Sequence, residues 1–336
     1  MVRNKYRNTD DSFYVTNFHV KVIVIGYGCY GESTLVLLMN GDVVFYAIVI
    51  DSYHYKNDKI KDGPYINKAV DLLRDYHVER LDVLCWTHPH DDHSKGITRL
   101  IKKYCDSGTK VVYPMYLENN KADIVKYGKT SKQNIDYILE KNKFHRISAT
   151  PIGVAVKGEG NIDEFYLKNY YSSEITASIR LDTLTPISSV LTEYVNESLC
   201  SDPNDLSISF VIDINGYGMY FGGDTKNRHI KLSKVLKMSR CRFVKIPHHA
   251  SPTAADLTNY LPHELDAVCT TVFKWGKSKL PDPNVINRYR DFNSDIYSTN
   301  KDMGNRYQFG IVEYDGDFSQ GIPMFTPSFF GNGGII

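Results

Sequence analysis

The sequence predicts an α/β fold, specifically a four-layer αββα sandwich. Apolar, β-branched runs come first, at residues 18–25, 33–39 and 43–50. From residue 64 onward, helical spacing alternates with short apolar strands. Strand runs followed by interleaved helices and strands suit a layered sandwich better than a doubly wound sheet. There is no internal repeat of 20–50 residues and no low-complexity block.

Taken in order, residues 1–17 are polar and read as a lead-in. The turn Asn40-Gly41-Asp42 between two apolar runs is a hairpin signal. Residues 64–77 put Ile66, Val70, Leu73 and Tyr76 on one side of a helix. Residues 81–86 form a short buried strand, followed directly by chemistry-rich residues. Residues 97–145 alternate helical pieces with a strand at 110–113. Residues 157–175 and 187–205 are polar and Asn/Ser-rich, so they are expected to be loops or insertions. Strands return at 207–214, 219–221 and 243–246, with a Lys-rich helix expected over 227–239.

The chain has 336 residues, 42% hydrophobic and 24% charged, which suits a globular protein and excludes a disordered one. Forty Lys and Arg against 39 Asp and Glu leave a net charge of +1, which excludes a generally basic nucleic-acid coat but not a local groove. Lys231, Lys234, Lys237, Arg240, Arg242 and Lys245 could line such a groove leading to His248, although a solvated helix face is the commoner use of such a run. Six scattered cysteines without a C-x-x-C pair read as reduced thiols, so a cytoplasmic location is expected. Residues 1–6 do not read as the apolar stretch of a signal peptide, and the longest apolar run, 43–50, falls short of the roughly 20 residues that span a membrane, so no membrane partner is expected.

Gly26-Tyr27-Gly28-Cys29-Tyr30-Gly31 matches G-x-G-x-x-G, with Asp51 following. A dinucleotide site needs a helix to start at that loop, because its N-terminal amides hold the pyrophosphate. Here residues 33–38 run straight into the Asn-Gly hairpin, so a glycine-rich β-turn is the better reading.

The strongest signal is Thr87-His88-Pro89-His90-Asp91-Asp92-His93, an H-x-H-x-D-H loop at the end of a strand. Imidazole and carboxylate ligands suit zinc, and also manganese or iron when carboxylates contribute. His88 with His90, and Asp92 with His93, would serve two neighbouring ions. Gly223-Asp224 places a carboxylate after another strand, where it could bridge them. Pro247-His248-His249-Ala250-Ser251 brings paired histidines to the end of a third.

Together these residues resemble the metallo-β-lactamase superfamily, and within it the metallo-hydrolase domain of the DNA-uptake competence protein ComEC and its stand-alone relatives. The resemblance covers about residues 18–315 and also includes Leu184-Thr185-Pro186, Asn204-Asp205-Leu206-Ser207 and Tyr297-Ser298-Thr299. It implies two mixed sheets flanked by helices and two divalent metal ions, zinc or manganese. Their ligands would be His88, His90, Asp92, His93, Asp224 and His249. It places catalytic roles on Asp92 and His248, the latter as proton donor to the leaving group or as a hydrogen-bond partner of a metal ligand. Asp51 would orient the metal loop from beneath, while Ser207 and Ser251 would support the site. His145 is the only histidine between the loop and Asp224, and is a candidate extra ligand. The glycine-rich turn leads into Glu32 where that group has an aspartate.

The resemblance implies a hydrolase in which a hydroxide held between two ions attacks a phosphodiester, with a nuclease as first reading. A cyclic nucleotide phosphodiesterase or a lactonase/esterase would use the same centre on a small substrate. A non-catalytic binding module of the same fold would have eroded ligands, whereas His88, His90, Asp92, His93, Asp224 and His249 are all present. Because the ligands span residues 88 to 249, a single hydrolase domain is expected over 18–318. Insertions would fall within 97–203, and 1–17 and 319–336 would be terminal extensions.

Overall fold

The structure, a computed structural model, describes residues 7–56, 65–117, 128–196, 202–233, 240–275, 278–301, 309–318 and 322–336. Two large mixed sheets dominate it. The eight-stranded sheet runs Met324–Gly331, Phe309–Asp317, Phe18–Tyr27, Glu32–Asn40, Val43–Ile50, Val83–Cys85, Lys110–Pro114 and Ser148–Ile152. Its first five strands are antiparallel, and its last three add in parallel. The nine-stranded sheet runs Ser12–Val15, Gly160–Asn169, Ile175–Thr183, Phe210–Ile214, Tyr217–Phe221, Cys241–Lys245, Ala267–Thr270, Ile296–Ser298 and Gly334–Ile335.

Alternation along the strands decides the layering. Val22, Val24, Val36, Leu38 and Ile48 point from the first sheet into a core shared with Phe165, Ile179, Phe210, Ile212 and Phe243 of the second. The residues between them, Ile23, Ile25, Leu35, Leu37 and Val49, face helices Lys68–Asp75, Ile97–Tyr104 and Lys129–Lys143. On the far side, Tyr220, Val244 and Val268 pack on helices Asn227–Leu232 and Pro283–Arg290. The order of layers is therefore helix, sheet, sheet, helix.

The structure departs from the sequence reading in three places. Within the stretches expected to be loops, Gly160–Asn169 is a strand, paired with Ile175–Thr183 that follows, and Ser188–Asn196 is a helix. Asp163, Phe165 and Leu167 turn inward while Glu164 and Tyr166 face solvent, so a half-exposed strand reads as polar. In the lead-in, Ser12–Val15 pairs with Gly160–Asn169 and buries Phe13 and Val15. After residue 318, Met324–Gly331 and Gly334–Ile335 supply one edge strand to each sheet. The helix expected over 227–239 covers Asn227–Leu232, and residues 234–239 lie outside the described residues.

The glycine-rich segment is a tight turn between Phe18–Tyr27 and Glu32–Asn40, with Gly28 at φ 63°. Gly31 lies against the Tyr53 ring and the Asp92 carbonyl, where a Cβ would meet them at 2.2 and 2.8 Å.

Candidate metal centre

The H-x-H-x-D-H loop starts where strand Val83–Cys85 ends, beside Asp51 at the end of Val43–Ile50. The buried Asp51 carboxylate accepts the Thr87 amide at 2.7 Å, the Thr87 hydroxyl at 2.7 Å and faces His93 Nδ1 at 2.7 Å. The chain then turns into the short helix Asp91–Ser94, with His90 at its N-terminus. Trp86 Nε1 donates to Ser94 Oγ at 3.0 Å. From helix Lys129–Lys143, Ser131 Oγ donates to the Pro89 carbonyl at 2.6 Å and Asn134 Nδ2 to the Ser94 carbonyl at 2.8 Å. The loop is thus fixed from both sides before any ligand binds.

The second sheet supplies the other half. Asp224 follows strand Tyr217–Phe221, and its amide donates to Ser207 Oγ at 2.7 Å. After Cys241–Lys245 the backbone enters the left-handed region at three successive residues, with φ of 52° at His248, 50° at His249 and 58° at Ala250. The His248 amide donates to the Gly223 carbonyl at 2.8 Å and ties the two turns together. Non-glycine residues in this region cost about 1–3 kcal/mol each and persist where the surroundings demand them, commonly at functional sites.

Two groups of side chains converge: Asp92, His93, Asp224 and His249, and His88, His90 and Asp224. Within each group the ligand atoms lie within 4.8 Å of one another. Asp224 belongs to both. Its Oδ1 is 3.5 Å from His93 Nε2 and 3.7 Å from His249 Nε2, while its Oδ2 is 3.6 Å from His88 Nε2. Asp92 Oδ2 is 3.4 Å from His93 Nε2 and 3.2 Å from His249 Nε2. One oxygen of Asp224 therefore faces each group, the arrangement of a carboxylate that bridges two cations.

Each buried imidazole is anchored through Nδ1, which turns Nε2 toward the carboxylates. His93 Nδ1 faces Asp51 directly. His88 Nδ1 meets Thr87 Oγ1 at 3.0 Å, and that hydroxyl donates to Asp51. His249 Nδ1 meets Thr271 Oγ1 at 2.8 Å, and that hydroxyl donates to Glu32 Oε2. An anchored Nδ1–H is the outer contact that leaves Nε2 as a metal ligand. Nε2 of His88, Nε2 of His93 and Oδ1 of Asp224 are buried without a hydrogen-bond partner. Orphaned polar atoms are costly in a protein interior, and a cation at each group would satisfy them.

Charge leads to the same conclusion. Four carboxylates are buried here, Glu32, Asp51, Asp92 and Asp224, against one buried lysine, Lys245. Burial pushes the His93 imidazole down, but Asp92, Asp224, Asp51 and Glu32 outweigh it and hold it well above its ordinary value. Burial would raise Asp92 and Asp224, yet the surrounding histidines hold both well below the carboxylate range. His88 is pushed well below its usual value, by burial first and then by His93, so it stands neutral, as a ligand must. These buried His and Asp groups could hold metal ions.

At the mouth, His248 is half-buried, with Nε2 3.2 Å from Asn204 Nδ2 and 3.7 Å from Asp224 Oδ2, and with Nδ1 2.8 Å from Thr253 Oγ1. Ser251 is at the start of the 3-10 helix Pro252–Asn259, where its hydroxyl accepts the Thr253 amide at 3.3 Å. His145 lies in the exposed turn after Lys129–Lys143, its amide on the Asn142 carbonyl, and joins neither group. Thr87 and Asn204 stand in sequence motifs without a role assigned to them there, and Thr271 stands in none. Thr87 adjoins a motif histidine, whereas nothing local marks Thr271.

The basic stretch is not a groove among the described residues. Lys231 pairs with Asp256 at 2.9 Å, Arg242 makes two 2.6 Å hydrogen bonds to Asp266, and Lys245 is buried on Glu32. Arg240 stacks over Tyr217, and Lys234 and Lys237 lie outside the described residues. Lys226, nearer the mouth, contacts both Asp202 and Asp205 at 3.1 Å.

Among solved structures, the chain is similar to one described as a new diphosphatase from the PhnP family. The match has 8% sequence identity and a TM-score of 0.36, over 84% of this chain and 85% of that one. No protein-family model and no curated protein matches the chain. Among the described residues, no helix is long and apolar enough to cross a membrane.

Proposed function

We propose that the chain is a metal-dependent hydrolase of the metallo-β-lactamase kind, with its motif order closest to the ComEC-type group, and that it cleaves phosphodiesters. The observation that carries this reading is the buried cluster itself: four carboxylates, one lysine, and histidine Nε2 atoms left without partners around a shared Asp224.

His88, His90 and Asp224 would hold one divalent ion, and Asp92, His93, Asp224 and His249 the other, with zinc or manganese suited to these donors. When bound, such a pair supplies an activated water and neutralises charge on phosphoryl oxygens. The chain's own residues do the rest. Asp51 and Glu32 fix the tautomers, Asp92 spans His93 and His249, and Asn204 and Thr253 hold the His248 ring at the solvent side. To His248 we assign the transfer of a proton to a departing alkoxide.

Ion pairing of Lys226, Lys231, Arg242 and Lys245 favours a small phosphodiester over a polynucleotide, which needs free cations for its phosphates. The test is metal content per chain, measured beside a panel of bis-p-nitrophenyl phosphate, cyclic nucleotides, single-stranded DNA and RNA with added Mn or Zn. Metal-dependent cleavage of the small diesters, abolished in Asp224→Asn, is expected. A protein that retains no transition metal and cleaves nothing in the panel would overturn the reading. Cleavage of polynucleotides alone would restore the nuclease.

A further inference from the structure

Glu32 and Lys245 come from different sheets. Glu32 opens strand Glu32–Asn40 in one, and Lys245 closes strand Cys241–Lys245 in the other. Both are almost wholly buried, and Lys245 Nζ donates to Glu32 Oε1 at 2.5 Å. The second oxygen, Oε2, accepts the Thr271 hydroxyl, which in turn meets His249 Nδ1. His93 Nδ1 is 3.7 Å from Oε1. Glu32, Asp51 and His93 are themselves a cation-capable trio, and the Lys245 ammonium is the cation that meets Glu32.

An isolated buried ion pair contributes little to stability on average, because desolvation cancels most of the attraction. This one joins the two halves of the site: the H-x-H-x-D-H loop belongs to the first sheet, and His249 to the second. We propose that Glu32 is a positioning residue, held by Lys245, that fixes His249 through Thr271 with Nε2 toward Asp92 and Asp224. Lys245 fills by its own charge the position that would otherwise admit a further ion. The inference rests on the metal reading above and adds a role for three residues that touch neither substrate nor the ligand atoms of the centre.

The test measures binding of Zn and Co to the full chain by competition with a chelator, together with the visible spectrum of the Co form. Glu32→Gln and Thr271→Val should each weaken one of two equivalents by about 10- to 100-fold and leave the other unchanged. The double variant should be no worse than Glu32→Gln, because both changes cut the same relay. Glu32→Asp, which keeps the charge, should restore part of the affinity. Lys245→Met should take up an additional equivalent. Thermal unfolding of the metal-free proteins controls for folding, and Thr271→Val, which buries no new charge, carries the test if Glu32→Gln does not fold. Parent-like affinity in Thr271→Val, or equal loss at both equivalents, would overturn the proposal. A parent that binds two ions but hydrolyses no diester would defeat the functional reading and leave this one standing. A parent that binds none would defeat both.

Discussion

His93 Nδ1 sits 2.7 Å from Asp51 Oδ2, joining the end of one strand to the loop that follows its neighbour. The same carboxylate carries both hydrogen bonds of Thr87, so it orients His88 and His93 together. Asp51→Asn should therefore lower metal affinity by about 10- to 100-fold without removing a ligand. Chelator competition checks this. Affinity equal to the parent would show that the contact only packs the loop.

Asp224 presents one oxygen to each histidine group. Asp224→Ala should release both equivalents of metal, whereas His88→Ala should release one and keep the other. Metal per chain after gel filtration separates the outcomes. Loss of a single ion from Asp224→Ala would remove it as a bridge.

Gly31 has no room for a side chain, because the Tyr53 ring and the Asp92 carbonyl occupy the space. Gly31→Ala should cost about 1–3 kcal/mol by overpacking and should also disturb metal binding through Asp92. Gly28→Ala, at φ 63°, should cost about 1–2 kcal/mol in backbone strain and leave metal binding unchanged. Urea unfolding with metal titration of both variants checks the contrast.

Two buried groups away from the centre give stability opposite pH slopes. Burial, then Arg228 and Lys226, push His229 from 6.5 down to about 4, and its Nδ1 accepts the Ile187 amide as a neutral ring. The unfolded chain binds the proton first, so this contribution is lost as pH falls from about 6.5 to about 4, by about 3 kcal/mol.

Asp82 is pushed from 3.8 up to about 6, by burial against the opposing Ala47 amide and Arg80. Here the folded chain binds the proton first, so its contribution is lost as pH rises from about 3.8 to about 6. His229→Gln and Asp82→Asn keep the acceptors and should each flatten one slope. Unfolding free energy against pH, taken as variant minus parent in chelator, checks both. A difference that does not vary with pH would contradict the assignment.

The sandwich order and the coming together of the His and Asp side chains were legible because both depend on local patterns: continuous β-branched runs such as 43–50, and clustered His and Asp after a strand. Strand Gly160–Asn169 was not, because alternating Glu164 and Tyr166 face water and dilute the apolar signal. Glu32 was visible as a departure from a motif, but its link to Thr271 and Lys245 spans more than 200 residues and exists only once two sheets face each other. The apparent basic groove failed for a similar reason: Asp256 and Asp266 lie downstream and neutralise Lys231 and Arg242 only in the fold.

The segment Met324–Ile335 gives an edge strand to each of the two sheets, pairing first with Phe309–Asp317 and then with Ile296–Ser298. The two sheets are therefore closed at one edge by the same stretch of chain. Unpairing residues 324–335 would bare Phe309–Asp317 and Ile296–Ser298 together, so one short stretch keeps a β-edge of each sheet from being open to other chains.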